Sequence, residues 1–290
     1  MSSDWSSDVC SSDLIDIILS GPFVSVHLGC ILIFFVGFSW WAVALCLFLY
    51  VIRMFGITAG FHRYFSHRTY KTSRTFQFIL GLLATSAAQR GPLWWSSHHR
   101  HHHKHSDKPE DAHSPGEHGV FWSHIGWVMS RHCNPTQFEL VKDFKKYPEI
   151  YYLNQFHMVV PFALGASLFA LGAVLNSFFP NAGVSGLQFL AWGFFVSTTL
   201  LYHGTFLINS LTHVFGSKRF ETDDDSRNNW ICAILTLGEG WHNNHHRYPA
   251  SERQGFYWYE IDMTHMALRL LERIGVVWDI KSPQIGRAHV

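Results

Sequence analysis

The 290-residue chain carries 22 Lys and Arg against 21 Asp and Glu, a net charge of +1, with 48% hydrophobic and 16% aromatic residues. The absence of a basic surplus excludes a nucleic-acid binder, the aromatic content excludes a disordered chain, and five Cys without a CxxC pair exclude a disulfide scaffold or zinc ribbon. The distribution is more telling than the averages: residues 1–52 and 147–217 contain no Lys or Arg, and 21 residues are His.

The two ends read as foreign. Codons for Asp8-Val9-Cys10-Ser11-Ser12-Asp13 have a reverse complement that encodes Ile285-Gly286-Arg287-Ala288-His289-Val290. One DNA adapter read in opposite directions accounts for both, so residues 1–14 and 285–290 are expected to be adapter-derived. Residues 15–284 are expected to form a single domain.

The first apolar run, 22–59, is too long for one crossing of a bilayer core of about 30 Å and long enough for two. It divides around Gly37-Phe38-Ser39 into spans at 22–38 and 40–59, with Arg53 expected to snorkel from the second to the interface. His62 and His67 follow. Five residues apart, they stand about 140° apart on an α-helix, so the helix must end or bend there. The stretch 76–95 is interrupted by Gln89-Arg90-Gly91-Pro92 and reads as a helix at the interface or inside the protein, not a span. A second cluster runs from His98 to His105, where both His98-His101-His102 and His99-His102-His103 have HxxHH spacing, which aims three imidazoles one way on a helix. The second register leaves His98, His101 and His105 on other faces and is preferred. His113 and His118 lie in a Pro- and Gly-containing loop and are expected to be solvated. Segments 156–179 and 187–208, joined by Pro180-Asn181-Ala182-Gly183, read as a membrane hairpin. The third cluster is His242, His245 and His246.

Thirteen basic residues precede Tyr147 and nine follow Ser217, which places 60–155 and everything after 210 on the cytoplasmic side. The expected fold is therefore all-α and integral to the membrane: four transmembrane helices with a cytoplasmic helical cap, both termini cytoplasmic. An even number of crossings lets all three histidine clusters meet. Converging imidazoles without Cys suit iron or another borderline first-row metal, and Asp107, Glu239 and Asp224 are candidates to orient ring N–H groups.

Four motifs carry a resemblance: HRYFSH (62–67), HRHHH (99–103), GEGWHNNHH (238–246) and NSLTH (209–213). Over residues 20–280 the chain resembles the membrane fatty acid desaturases of the acyl-CoA and acyl-lipid Δ9 type. The resemblance implies nine ligands, His62, His67, His99, His102, His103, His213, His242, His245 and His246, holding two iron ions, with Asn209 contacting one through water. It selects the His99 register. It also implies Trp95 against the acyl chain, with Gln89 and Thr205 paired to hold a bend, O2 as co-substrate, and a cis alkene and water as products. A bacterial inner-membrane location follows from the same likeness. His27, His124, His132, His157, His203 and His265 receive no such support and read as structural.

The chain contains no haem or iron–sulfur motif, so a separate electron donor (ferredoxin, rubredoxin or cytochrome b5-like) is expected. Animal acyl-CoA desaturases resemble one another in an Arg-Asp pair where this chain has Ser97-His98, which leaves the carrier open: acyl-CoA, acyl carrier protein or membrane lipid. Arg131, Lys142, Lys145 and Lys146 are candidates to meet a phosphate-bearing head. Two other readings compete: a hydroxylase or ketolase on the same scaffold, and a His-rich metal transporter, which would need ionisable residues along an ion path through the spans.

Overall fold

The computed structural model describes residues 15–283; the expected adapter-derived ends, 1–14 and 285–290, lie outside the described residues. Helix α1 (Ile17–Gly29) runs on into a 3₁₀ turn, Cys30–Phe34, and α2 (Trp40–Phe55) continues as a π-helix, Gly56–Ser66. Helices α3 (Arg74–Thr85) and α4 (Pro92–His105) follow. After short helices that include Pro148–Gln155 come Val159–Phe178 and an unbroken helix over 186–210, whose Leu190–Val196 stretch is π-helical. Leu211–His213, Trp230–Leu235, His242–Arg247 and Met263–Arg273 complete the helices. One small antiparallel ladder pairs β1 (Lys71–Thr72) with β2 (Val277–Trp278), Lys71 opposite Trp278 and Thr72 opposite Val277, tying the end of the described chain to the start of α3.

Among the described residues two helices are long and apolar enough to cross a membrane, Trp40–Ser66 and Val159–Phe178, and they hold the expected spans 40–59 and most of 156–179. The expected span 22–38 corresponds to a shorter apolar helix, Ser20–Phe34. The expected span 187–208 is one continuous helix, but it carries Ser197, Thr198, Thr199, Tyr202, His203 and Thr205, several of them turned onto neighbouring helices, so its apolar character is diluted. The outward faces are aromatic and aliphatic: Phe34, Trp40, Phe162 and Phe178 are each at least 71% exposed, the surface a bilayer would cover. In the hairpin, a Cβ on Gly172 would lie 2.4 Å from the Ser185 carbonyl and one on Gly186 2.7 Å from that of Phe169, so only glycine permits this approach of the two backbones.

Residues 76–95 do not span. They form the end of α3, a sharp turn with Ala88 and Arg90 in the left-handed region, and the start of α4. Pro92 fills the first position of α4, where its missing N–H costs nothing, and Asn154 Oδ1 accepts from the Leu93 and Trp94 amides at 3.1 and 2.8 Å, capping the helix from outside. The main core packs around the π-helical segment and includes Met54, Ile57, Phe61, Phe65, Leu80 and Leu93.

Arg53 corrects an expectation. It does not snorkel; it is 1% exposed and donates to Thr198 Oγ1 (2.8 Å), Ser197 Oγ (2.5 Å) and the carbonyls of Ser86 and Leu49. Polar partners supplied by the 186–210 helix hold the guanidinium inside the bundle, which satisfies its donors at lower cost than bending the side chain out.

Candidate metal centre

His62 and His67 owe their convergence to the π-helix. Hydrogen bonds from residue i+5 to residue i widen the turn, and the His67 amide donates to the His62 carbonyl at 3.2 Å. The two rings then lie 4.9 Å apart instead of facing away from each other. On α4, His99, His102 and His103 face inward. His98 points elsewhere, against Trp94 and the Pro135 carbonyl, and His101 meets the Glu110 carbonyl, so the His99 register is the one realised. His213 ends the 3₁₀ turn after the 186–210 helix, and His242, His245 and His246 share one short helix.

These nine rings gather into two adjoining nests. His62, His67, His99, His103 and His245 offer nitrogens within 4.8 Å of one another, as do His102, His213, His242 and His246. The nests touch where His103 and His246 lie 4.5 Å apart, centroid to centroid. Opposed Nε2 atoms approach closely: His62 to His245 at 3.0 Å, His67 to His99 at 2.8 Å, His103 to His245 at 2.8 Å and His213 to His242 at 3.0 Å.

Four carboxylates stand behind the rings. Asp107 takes the His213 Nδ1 hydrogen at 2.7 Å, Asp111 that of His102 at 2.9 Å, Asp224 that of His246 at 2.5 Å, and Glu239 pairs with His62 Nδ1. Burial alone would raise these four carboxyls, but their histidine partners prevail and hold all of them below the usual carboxylate range. An imidazole that gives its Nδ1 hydrogen to a carboxylate presents a bare lone pair at Nε2. Burial and the neighbouring imidazoles push His67, His99, His103, His242 and His245 well below the usual imidazole range. Neutral lone pairs therefore face each other inside both nests, and the buried Nε2 of His246 has no hydrogen-bond partner. That donor set fits metal cations, and the carboxylates behind it supply the negative charge that cations would meet.

Asp107, Asp224 and Glu239 thus take the place expected of them. Asp111 was not foreseen; it lies nine residues after His102, in a loop, with no spacing signal. The Arg63 network was also not foreseen. Arg63 is fully buried and pairs with Glu239, Glu252 and Asp262, while Gln254 Nε2 donates to Glu239 at 2.9 Å, so the carboxylate behind His62 is itself held. Gly238, at φ +127, makes this possible: a Cβ there would sit 2.5 Å from Asp262 Oδ1. His113 is a correction. It is 6% exposed, stacks on Trp127 and approaches Asp111, so the loop that carries it folds under the cap. His118 is half-buried, against the Asp111 carbonyl.

Beside the nests lies a cavity of about 250 Å³ lined by His99, Asn209, Gln89, Trp95 and Thr205 among others. Gln89 Nε2 donates to Thr205 Oγ1 at 2.6 Å, Trp95 Nε1 lies 3.4 Å from Gln89 Oε1, and the Trp95 ring stacks on His99 at 5.0 Å. The residues expected to meet an acyl chain are thus brought together against the first nest. Arg131, Lys142, Lys145 and Lys146 do not line this cavity; they pair with Asp16 and Glu139 or lie over Phe138 and Tyr147. A second, polar cleft reaches His103 and His246 and is lined by Lys104, Lys108 and Arg247 together with Glu221 and Asp223.

A family model described as fatty acid desaturase matches residues 38–280. The sn-1 stearoyl-lipid 9-desaturase of Anabaena variabilis is 38% identical over 89% of this chain and 91% of that protein. Its namesake in Synechocystis sp. is 40% identical over 90% of this chain and 79% of that protein. An acyl-CoA 5-desaturase of Anemone leveillei is 36% identical over 94% of this chain and 81% of that protein.

Proposed function

We propose, from the premise that this chain belongs to the fatty acid desaturase family and desaturates fatty acyl chains, that it introduces a cis double bond at the Δ9 position of a saturated chain carried on a membrane lipid. The observation that carries the reading is the pair of adjoining histidine nests with a carboxylate behind four of their rings. Two irons would be held by His62, His67, His99, His103 and His245 in one nest and by His102, His213, His242 and His246 in the other, with Asn209 reaching the second through water. An iron pair bound there would supply the oxidation, in which O2, two electrons, two protons and two hydrogens of adjacent methylenes give the alkene and two waters.

The chain's own residues do the rest. Asp107, Asp111, Asp224 and Glu239 fix ring orientation and keep Nε2 free for metal. Trp95 covers the first nest and shields it from bulk water. The Gln89–Thr205 bond ties the turn before α4 to the 186–210 helix and so holds the cavity wall where the acyl chain must pass. Relatives named for stearoyl-lipid substrates support the lipid carrier and the Δ9 position. A separate ferredoxin, rubredoxin or cytochrome b5-like donor would supply electrons, and the polar cleft at His103 and His246 offers it a short approach. Four spans, 22–38, 40–59, 156–179 and 187–208, would seat residues 15–284 as one domain in a bacterial inner membrane with the nests on the cytoplasmic side.

Expression in a host that lacks unsaturated lipids, followed by double-bond mapping of total fatty acids, tests the reading. Δ9 monoenes are expected. A hydroxylated or keto product would instead favour the rebound chemistry of a hydroxylase on the same scaffold, and readily exchanged zinc without product would favour transport.

A further inference from the structure

Two groups on the cavity wall lack the partners their burial calls for. Arg90 sits at φ +64, in the left-handed region that costs a non-glycine residue about 1 kcal/mol or more. Its guanidinium folds over the Trp94 ring at 4.9 Å and donates to Asn134 Oδ1, but among the described residues no carboxylate pairs with it. Burial lowers its pKa, as expected of a cation short of counter-charge. His157 lines the same cavity, close enough to Arg90 for the two to interact, and its buried Nδ1 has no hydrogen-bond partner. A buried polar atom left unpaired is costly, and the oxygens of a ligand in the cavity would serve both groups.

The position of Arg90 suggests which oxygen. His99 stands seven residues beyond Pro92, about 10 Å along α4, and Arg90 lies two residues before that helix begins. Arg90 and His99 line one cavity, so a carbonyl held at Arg90 fixes which carbon of the chain lies beside the first nest. The carrier follows from charge and surroundings. Coenzyme A brings several phosphates, whereas among the described residues lining this cavity Arg90 is the one guanidinium. Where the cavity reaches α1, the lining residue Ile18 is 85% exposed, and Pro22, Phe23, Met158 and Pro161 continue an apolar lining. An apolar rim with a single cation matches a glycerolipid arriving from the bilayer.

We propose that Arg90 and His157 form the head-end subsite of the acyl cavity, binding the ester oxygens of a membrane glycerolipid, and that Arg90 thereby fixes how many carbons separate that ester from the metal nests. The inference rests on the desaturase reading and deepens it. Arg90→Gly is the informative variant, since glycine adopts φ +64 without strain and the turn keeps its shape; Arg90→Lys keeps the charge but loses the planar fork.

The test uses the full-length protein with an electron donor and vesicles of distearoyl phosphatidylglycerol, with stearoyl-CoA as a parallel arm. It reads kcat and KM separately, maps the double bond in the product, and measures retention of radiolabelled lipid by the purified protein. For Arg90→Gly, kcat/KM on vesicles is expected to fall about tenfold or more, the value of one charge-assisted hydrogen bond. The loss should lie in KM, retained lipid should fall in step, and double bonds should scatter to positions beside Δ9. Arg90→Lys should recover part of the affinity but not the single position. Unchanged KM and a single product position in Arg90→Gly would overturn the proposal, as would a wild type that turns over stearoyl-CoA but not the vesicles. A wild type inactive on both carriers would sink the desaturase reading itself, a separate outcome.

Discussion

Asp224→Asn probes the arrangement of carboxylates most cleanly. Among the described residues three acids, Asp107, Asp111 and Asp224, back the nest formed by His102, His213, His242 and His246, whereas only Glu239 backs the five-histidine nest. Apart from His246, the Asp224 side chain accepts only from Ser226, so its loss leaves the rest of the cap in place. A carboxylate roughly 6 Å from a metal interacts with each unit of its charge by about 3 kcal/mol at an effective dielectric of about 20. That is a ceiling, because asparagine still accepts the His246 hydrogen. Removal of such partners typically weakens metal binding by 10- to 100-fold, about 1.4 to 2.8 kcal/mol. The assay is anaerobic loading with iron(II), then competition with a graded chelator while iron per chain is counted. Asp224→Asn should release one of its two irons at 10- to 100-fold lower chelator than wild type, about the range expected for one such partner, and hold the other unchanged. Glu239→Gln should weaken the complementary iron. A wild-type release curve for Asp224→Asn, or equal loss of both irons, would refute the assignment of carboxylates to separate nests.

Three further outcomes follow from other contacts. His245→Ala should abolish product while the protein stays membrane-inserted, because His245 Nε2 faces both His62 and His103 at 3.0 and 2.8 Å; retained turnover would exclude it as a ligand. Gln89→Leu removes the link to Thr205, whose hydroxyl keeps its bond to the Leu201 carbonyl, and strands Trp95 Nε1 in an apolar wall, at about 1–3 kcal/mol; it should lower both Tm and the fidelity of bond position, and a product identical to wild type would remove the bend-holding role. Arg53→Met leaves Ser197, Thr198 and the Ser86 carbonyl without their shared donor and should cost several kcal/mol, since each orphaned group costs about 1–3. Thermal unfolding in detergent reads this, and an unchanged Tm would show that the buried guanidinium contributes nothing.

What the sequence discloses follows helical geometry and stops where geometry becomes long-range. HxxHH on α4 and again at His242–His246 is legible because one helix face collects residues three and four apart. His62 and His67 announce a distortion, though not its kind; the π-helix that supplies it follows no pattern of residue types. Asp224 and Glu239 stand out as acids near histidines, but Asp111 reaches His102 only because the 106–118 loop folds back, and the same fold buries His113 in a segment whose composition suggests solvent. Arg53 reads as a snorkelling residue as long as its partners are unseen, since Ser197 and Thr198 are some 145 residues away. The long helices divide likewise. Trp40–Ser66 and Val159–Phe178 are legible from apolar length alone, whereas the 186–210 helix carries hydroxyls and His203 whose partners only the packing reveals.

The central claim is that nine imidazoles hold two irons in two separate nests. Iron analysis with X-ray absorption on the purified protein, and on His67→Ala and His213→Ala beside it, tests this directly. Wild type should hold two irons per chain in shells of nitrogen and oxygen without sulfur, and each variant should lose one iron while keeping the other. A single iron in wild type, or the loss of the same iron in both variants, would contradict the account.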